Sequence, residues 1–78
     1  MSQTNELFHF CHVMFSYGIT KPEKSKSLDE MKAILQPEDT LDVNQVFADL
    51  VEQGYVGLFE GKYFLLGKGI VAVAAIFT

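Results

Sequence analysis

Apolar and polar positions divide the chain into helical stripes, an alternating pair of short runs and a final apolar stretch. Residues 5–17 read as a helix, because Leu7, Phe10, Cys11, Met14 and Tyr17 recur every three or four residues on one stripe. Thr4 is placed to cap it, and Glu6 lies in the first turn, where the helix dipole favours negative charge. Phe8 and Phe15 fall on a different face. A helix apolar on two sides is buried on two sides. One side is expected to meet the core and the other a second element or a second subunit. Gly18 ends the helix, and residues 18–26 (GITKPEKSK) read as a polar loop.

Ser27 and Glu30 have the spacing of a capping box and open a second helix over 28–35, with Leu28, Met31, Ile34 and Leu35 inward. Pro37 stops it, and residues 37–41 form a turn. Asp42 and Gln45 repeat the capping spacing, and Leu41 and Val46 are placed for a hydrophobic staple. The third helix covers 43–53. Val43, Val46, Phe47, Leu50 and Val51 form its inner face, and Gly54 is its stop. Tyr55–Phe59 and Lys62–Leu66 flank Glu60-Gly61 and read as a β-hairpin. Gly67-Lys68-Gly69 reads as a break. Residues 70–77 suit a strand or a helix, and their alanines favour a helix.

Length and charge narrow the possibilities. A chain of 78 residues is expected to be one domain spanning 1–78. At this size folding buries only about 60% of the surface that the unfolded chain exposes. The single cysteine excludes an intramolecular disulfide. No basic segment followed by an apolar one opens the sequence, and the apolar run 69–77 is about half the length of a bilayer span. A cytoplasmic location with no membrane association is the expectation. Six lysines, no arginine and ten acids give a net charge of −4, so a strongly basic surface is not available.

Helix, loop, capped helix, turn, capped helix, hairpin and final helix is a known order. Leu50-Val-Glu-Gln-Gly-Tyr-Val56 followed by Tyr63-Phe-Leu-Leu-Gly-Lys-Gly69 resembles the third-helix end and second wing strand of winged helix-turn-helix domains, with Leu66 where those have threonine. The segment 43–69 is most similar to small regulators of the MarR and PadR groups. That resemblance implies an α+β winged helix: a three-helix bundle, a two-stranded β-wing and a C-terminal helix. It also implies a homodimer built by the first and last helices, and the surplus apolar residues Phe8, Phe15, Val71 and Phe77 are the expected interface.

In such domains the outer face of the third helix enters the major groove. Here that face carries Asn44, Gln45, Ala48, Asp49, Glu52 and Gln53. Asn44 and Gln45 suit adenine. Yet Glu38, Asp39, Asp42, Asp49, Glu52 and Glu60 face no cation between Lys32 and Lys62, and phosphate neutralisation dominates affinity for DNA. Lys24, Lys26, Lys62 and Lys68 are the candidate backbone contacts. The charge therefore favours a protein-docking module on this scaffold, partner unknown, with a small DNA-binding regulator as the alternative.

The remaining chemistry is sparse. Glu6, His9 and His12 share a helical face, but they are at most three ligands from one helix, and no metal site is expected. Cys11 and His12 are neighbours, and helical neighbours point apart, so no nucleophile–base pair is expected. Gly67-Lys68-Gly69 lacks phosphate-loop spacing. Neither enzymatic activity nor a cofactor is expected.

Overall fold

In the computed structural model, which describes residues 3–76, the elements are α1 (Gln3–Ser16), a 3-10 turn (Pro22–Lys24), α2 (Leu28–Leu35), α3 (Val43–Glu52), β1 (Val56–Phe59), β2 (Lys62–Leu65) and α4 (Gly67–Ile76). Among these residues the fold is α+β, four helices with one antiparallel two-stranded sheet.

Helix α1 starts two residues earlier than the apolar stripe predicts. Thr4 therefore lies inside the helix instead of capping it, since neither glycine nor proline interrupts the segment from Gln3. Its C-terminus is closed by two backbone bonds, Gly18 N–H to the Phe15 carbonyl (3.0 Å) and Ile19 N–H to the Met14 carbonyl (2.9 Å), the Schellman arrangement. This closure corrects two expectations. Tyr17, placed on the core stripe by periodicity, is 63% exposed because the chain turns away there. Ile19, placed in a polar loop, is fully buried and takes the position at the end of the stripe.

The segment after Ile19 is not a free loop either. The Ile19 carbonyl accepts from Leu65 N–H at 2.8 Å, and Lys26 exchanges two backbone bonds with Tyr63 (2.9 and 2.7 Å). Residues 19–26 thus run along the outer edge of β2 and tie it to α1.

Helix α2 has the full capping box. Ser27 Oγ accepts from Glu30 N–H, and the Glu30 carboxylate accepts from Ser27 N–H. Ser27→Ala should cost about 1 kcal/mol in a urea unfolding curve. The Ser27 backbone N–H, then the Ser27 hydroxyl and the charges of Lys26 and Lys62, hold the Glu30 carboxyl below its ordinary value. A group depressed on folding stabilises above its unfolded value and loses that contribution as pH falls through the folded one. The advantage of wild type over Glu30→Gln should therefore shrink as pH drops below about 4.3. A constant advantage down to strongly acid pH would remove the carboxylate from the cap.

Helix α3 realises half of its predicted box. The Asp42 carboxylate accepts from Gln45 N–H at 3.2 Å, but the Gln45 side chain turns along the helix and donates to Asp49 Oδ1 at 3.0 Å. Gly54 and Tyr55 close α3 as Gly18 and Ile19 close α1. Val43, Val46, Phe47 and Leu50 are buried and Val51 is half-buried, as periodicity predicts.

The hairpin pairs Val56 with Leu65, Gly57 with Phe64, Leu58 with Tyr63 and Phe59 with Lys62. Glu60 and Gly61 both have positive φ (51° and 78°), the two-residue turn whose twist matches the strands. Val56 and Leu65 at its root are buried, with β1 packed on α3 and β2 on α1.

The last segment resolves as a helix, and it begins at Gly67. Gly67-Lys68-Gly69 is its first turn, not a break, with Ile70 N–H bonded to the Leu66 carbonyl at 3.0 Å. Helix α4 packs on α1, and Val73 completes the core of Leu7, Phe10, Cys11, Met14, Ile19, Met31, Phe47 and Leu50. No helix of the described residues is long and apolar enough to cross a membrane.

Candidate functional site

The outer face of α3 and the wing enclose a groove. Burial of Val43, Val46, Phe47 and Leu50 turns Asn44, Gln45, Ala48 and Glu52 outward, with Asp49 half-buried between the two sides. One face of the hairpin continues over this helix. Its root pair, Val56 and Leu65, is in the core, and the next pair on the same face is Leu58 with Tyr63. Tyr63 is half-buried and stacks on Phe47, with ring centroids 4.6 Å apart. Leu58, farther out, remains 55% exposed.

The result is a groove of about 500 Å³ lined by Asn44, Gln45, Phe47, Ala48, Asp49, Val51, Glu52, Leu58 and Tyr63. Its floor is apolar, its rim carries Asp49 and Glu52, and no cationic side chain lines it. Five of the candidate residues of the third helix, Asn44, Gln45, Ala48, Asp49 and Glu52, come together here. Leu58 and Tyr63 were not anticipated. The signal was present in the alternation of the hairpin, which puts Val56 and Leu58 on one face, but only the placement of the wing over α3 gives that face a role.

The candidate lysines divide. Lys26 pairs with Tyr63, next to Lys62, on the outer edge of the wing toward its tip, and both lysines lower the Glu30 carboxyl. Lys24 is exposed in the 3-10 turn close by in sequence. Lys68 is occupied elsewhere. Its Nζ donates to the Gln53 carbonyl at 2.7 Å and lies 4.9 Å from the centre of the Tyr55 ring, so it caps the C-terminus of α3.

A second surface lies where α1 meets α4. Phe15 is 47% exposed and Val71 67%. A concavity of about 340 Å³ is lined by His12, Phe15, Ser16, Val73 and Ala74. Phe8 is half-buried, its ring 6.4 Å from that of Tyr55. Phe77 lies outside the described residues.

Cys11 and His12 point apart, Cys11 into the core and His12 to the surface. Burial pushes the Cys11 thiol up to about 11. The thiolate is the reactive form, so at pH 8 only about one molecule in a thousand carries it. Native protein should react with an aromatic disulfide reagent at least about a hundredfold more slowly than the urea-unfolded chain, because reaction waits on opening of the core. Rapid native labelling would place Cys11 at a surface. Of the Glu6, His9 and His12 set, the Glu6 side chain lies outside the described ones, and no group of three metal-ligating residues converges among the described residues.

No protein-family model, curated protein or solved structure matches the chain.

Proposed function

We propose that the chain is a non-enzymatic winged-helix interaction module that docks on a protein partner through the α3–wing groove and is homodimeric through α1 and α4. The reading of the fold rests on the element order and on a wing that follows α3 directly. The observation that carries the function is the lining of the groove: apolar at the floor, acidic at the rim, without a cation. A surface of that charge repels the phosphate backbone that a duplex-binding helix must approach. Exposed Phe15 and Val71, on the two helices that pack together, support the dimer.

The test is fluorescence anisotropy of a mixed-sequence DNA duplex at about 20–50 mM salt, where electrostatic binding is strongest. The module reading expects no binding at tens of micromolar protein. Sedimentation equilibrium should give a dimer that Phe15→Asp converts to a monomer. A wild-type monomer at all concentrations removes the dimer from the proposal.

The alternative is a DNA-binding regulator, favoured by exposed Asn44 and by the nearness of Lys26 and Lys62 on the outer edge of the wing toward its tip. It expects binding that falls steeply with salt. Asn44→Ala should then relax sequence preference, while Lys24→Ala or Lys62→Ala weakens all duplexes alike.

A further inference from the structure

We infer that the groove between α3 and the wing takes a cationic, amphipathic segment of its partner: apolar side chains seated on the floor, flanked by lysine or arginine against the rim. The inference rests on the docking reading above and adds the chemistry of the occupant.

The floor supplies the apolar half of the argument. Val51, Leu58 and Tyr63 supply the accessible apolar lining, with Tyr63 stacked over buried Phe47, and Ala48 leaves room beside them because its side chain ends at Cβ. Leu58 is the exposed member, so an occupant that covers it gains apolar burial unavailable to the free chain. An amphipathic helix laid in a groove presents such anchors at i, i+3 or i+4.

The rim supplies the electrostatic half. Asp49 and Glu52 border the floor on one side, and Glu60 sits at the wing tip two residues beyond Leu58. Between Lys32 and Lys62 the chain has six acids and no lysine, arginine or histidine; two of the acids, Asp49 and Glu52, line the groove, and Lys62 flanks Glu60 at the wing tip. The same pattern repels nucleic acid and acidic peptides, and it attracts cations at the encounter stage. Gln45 is drawn to Asp49 by a side-chain hydrogen bond, leaving Asn44 as the exposed amide on this face for polar contact.

The experiment is selection of displayed random peptides, about four helical turns long, on the immobilised full chain. The Ala48→Tyr variant, whose ring fills the groove, serves as the subtraction target, and its melting curve checks that it folds. Peptides that survive subtraction should carry net positive charge and apolar residues at helical spacing. The affinity of the best of them should fall about tenfold or more in Glu52→Lys and in Leu58→Ser, and should weaken between about 50 and 500 mM salt. Surviving peptides that are neutral or acidic overturn the cationic occupant and leave the docking reading standing. No peptide that prefers wild type over Ala48→Tyr overturns both. Competition of the peptide by duplex DNA assigns the groove to nucleic acid. Loss of self-association in Glu52→Lys assigns it to a second copy of the chain. Either result also overturns the inference.

Discussion

Phe47→Ala should destabilise the fold by about 3–5 kcal/mol, the usual cost of removing a buried phenylalanine. Phe47 is fully buried, its ring 5.5 Å from that of Phe10 on α1 and stacked at 4.6 Å on Tyr63 of β2. One side chain therefore joins α3, α1 and the wing, and no neighbour can relax into the vacancy without giving up another contact. A domain of this size has about 5–10 kcal/mol in total. The variant should melt roughly 15–30 °C lower or lose a cooperative transition altogether. Phe47→Leu keeps most of the volume and should lose about 1–2 kcal/mol. Because Phe47 also floors the groove, the leucine variant is the informative one for binding: it should fold and yet hold Tyr63 less well. An alanine variant that melts within a few degrees of wild type would place the centre of the core elsewhere.

Gly69→Ala should destabilise by about 2–3 kcal/mol even though it places a better helix former inside α4. Helix propensity alone predicts a gain of about 1 kcal/mol. Space decides against it. A Cβ at Gly69 would come within 2.5 Å of Leu65 Cδ1 and 2.6 Å of the Tyr55 carbonyl oxygen. Leu65 is fully buried, and the Tyr55 carbonyl is held by Leu66 N–H at 2.9 Å, so neither moves cheaply. Gly67 is the control. It lies in the same turn of α4, and nothing stands within 4 Å of a Cβ there. Gly67→Ala should be neutral or slightly stabilising. Thermal melts of the pair, with Tm falling for one and holding or rising for the other, separate close packing from propensity. Equal behaviour of both variants would mean that α4 does not approach the hairpin root as described.

Much of this arrangement was readable from local signals. Ser27, Asp42 and Gly54 mark helix ends because caps act within a few residues, and Glu60-Gly61 marks the hairpin because only certain residues tolerate its turn. The outer face of α3 was equally plain, since its inner face fits a 3.6-residue period without exception. What escaped was set by contacts distant in sequence. Ile19 is one apolar residue in a polar stretch, so no periodicity reveals that its backbone joins β2. Gly67 and Gly69 read as breakers, yet α4 runs through them, and glycine stands at 69 because the hairpin root leaves no room there for a side chain. Lys68 looked like a free cation, and only folding brings it over Tyr55 and onto the Gln53 carbonyl. Leu58 and Tyr63 entered the groove for the same reason: a hairpin predicts its own register, not the helix it leans on.

The bonds from Ile19 and Lys26 to β2 also decide which side of the sheet is open to other chains. A sheet edge with unpaired N–H and C=O groups is a template for strand addition and aggregation. On the β2 side that edge is already occupied by residues 19–26 at both ends of the strand. Among the described residues β1 pairs only with β2, so its far side carries the exposure. That strand is four residues long, contains Gly57 and runs into the charge of Glu60 at the tip, all features that discourage a recruited strand. Loosening the segment 19–26 would uncover a second edge and turn a hairpin with one guarded side into one open on both.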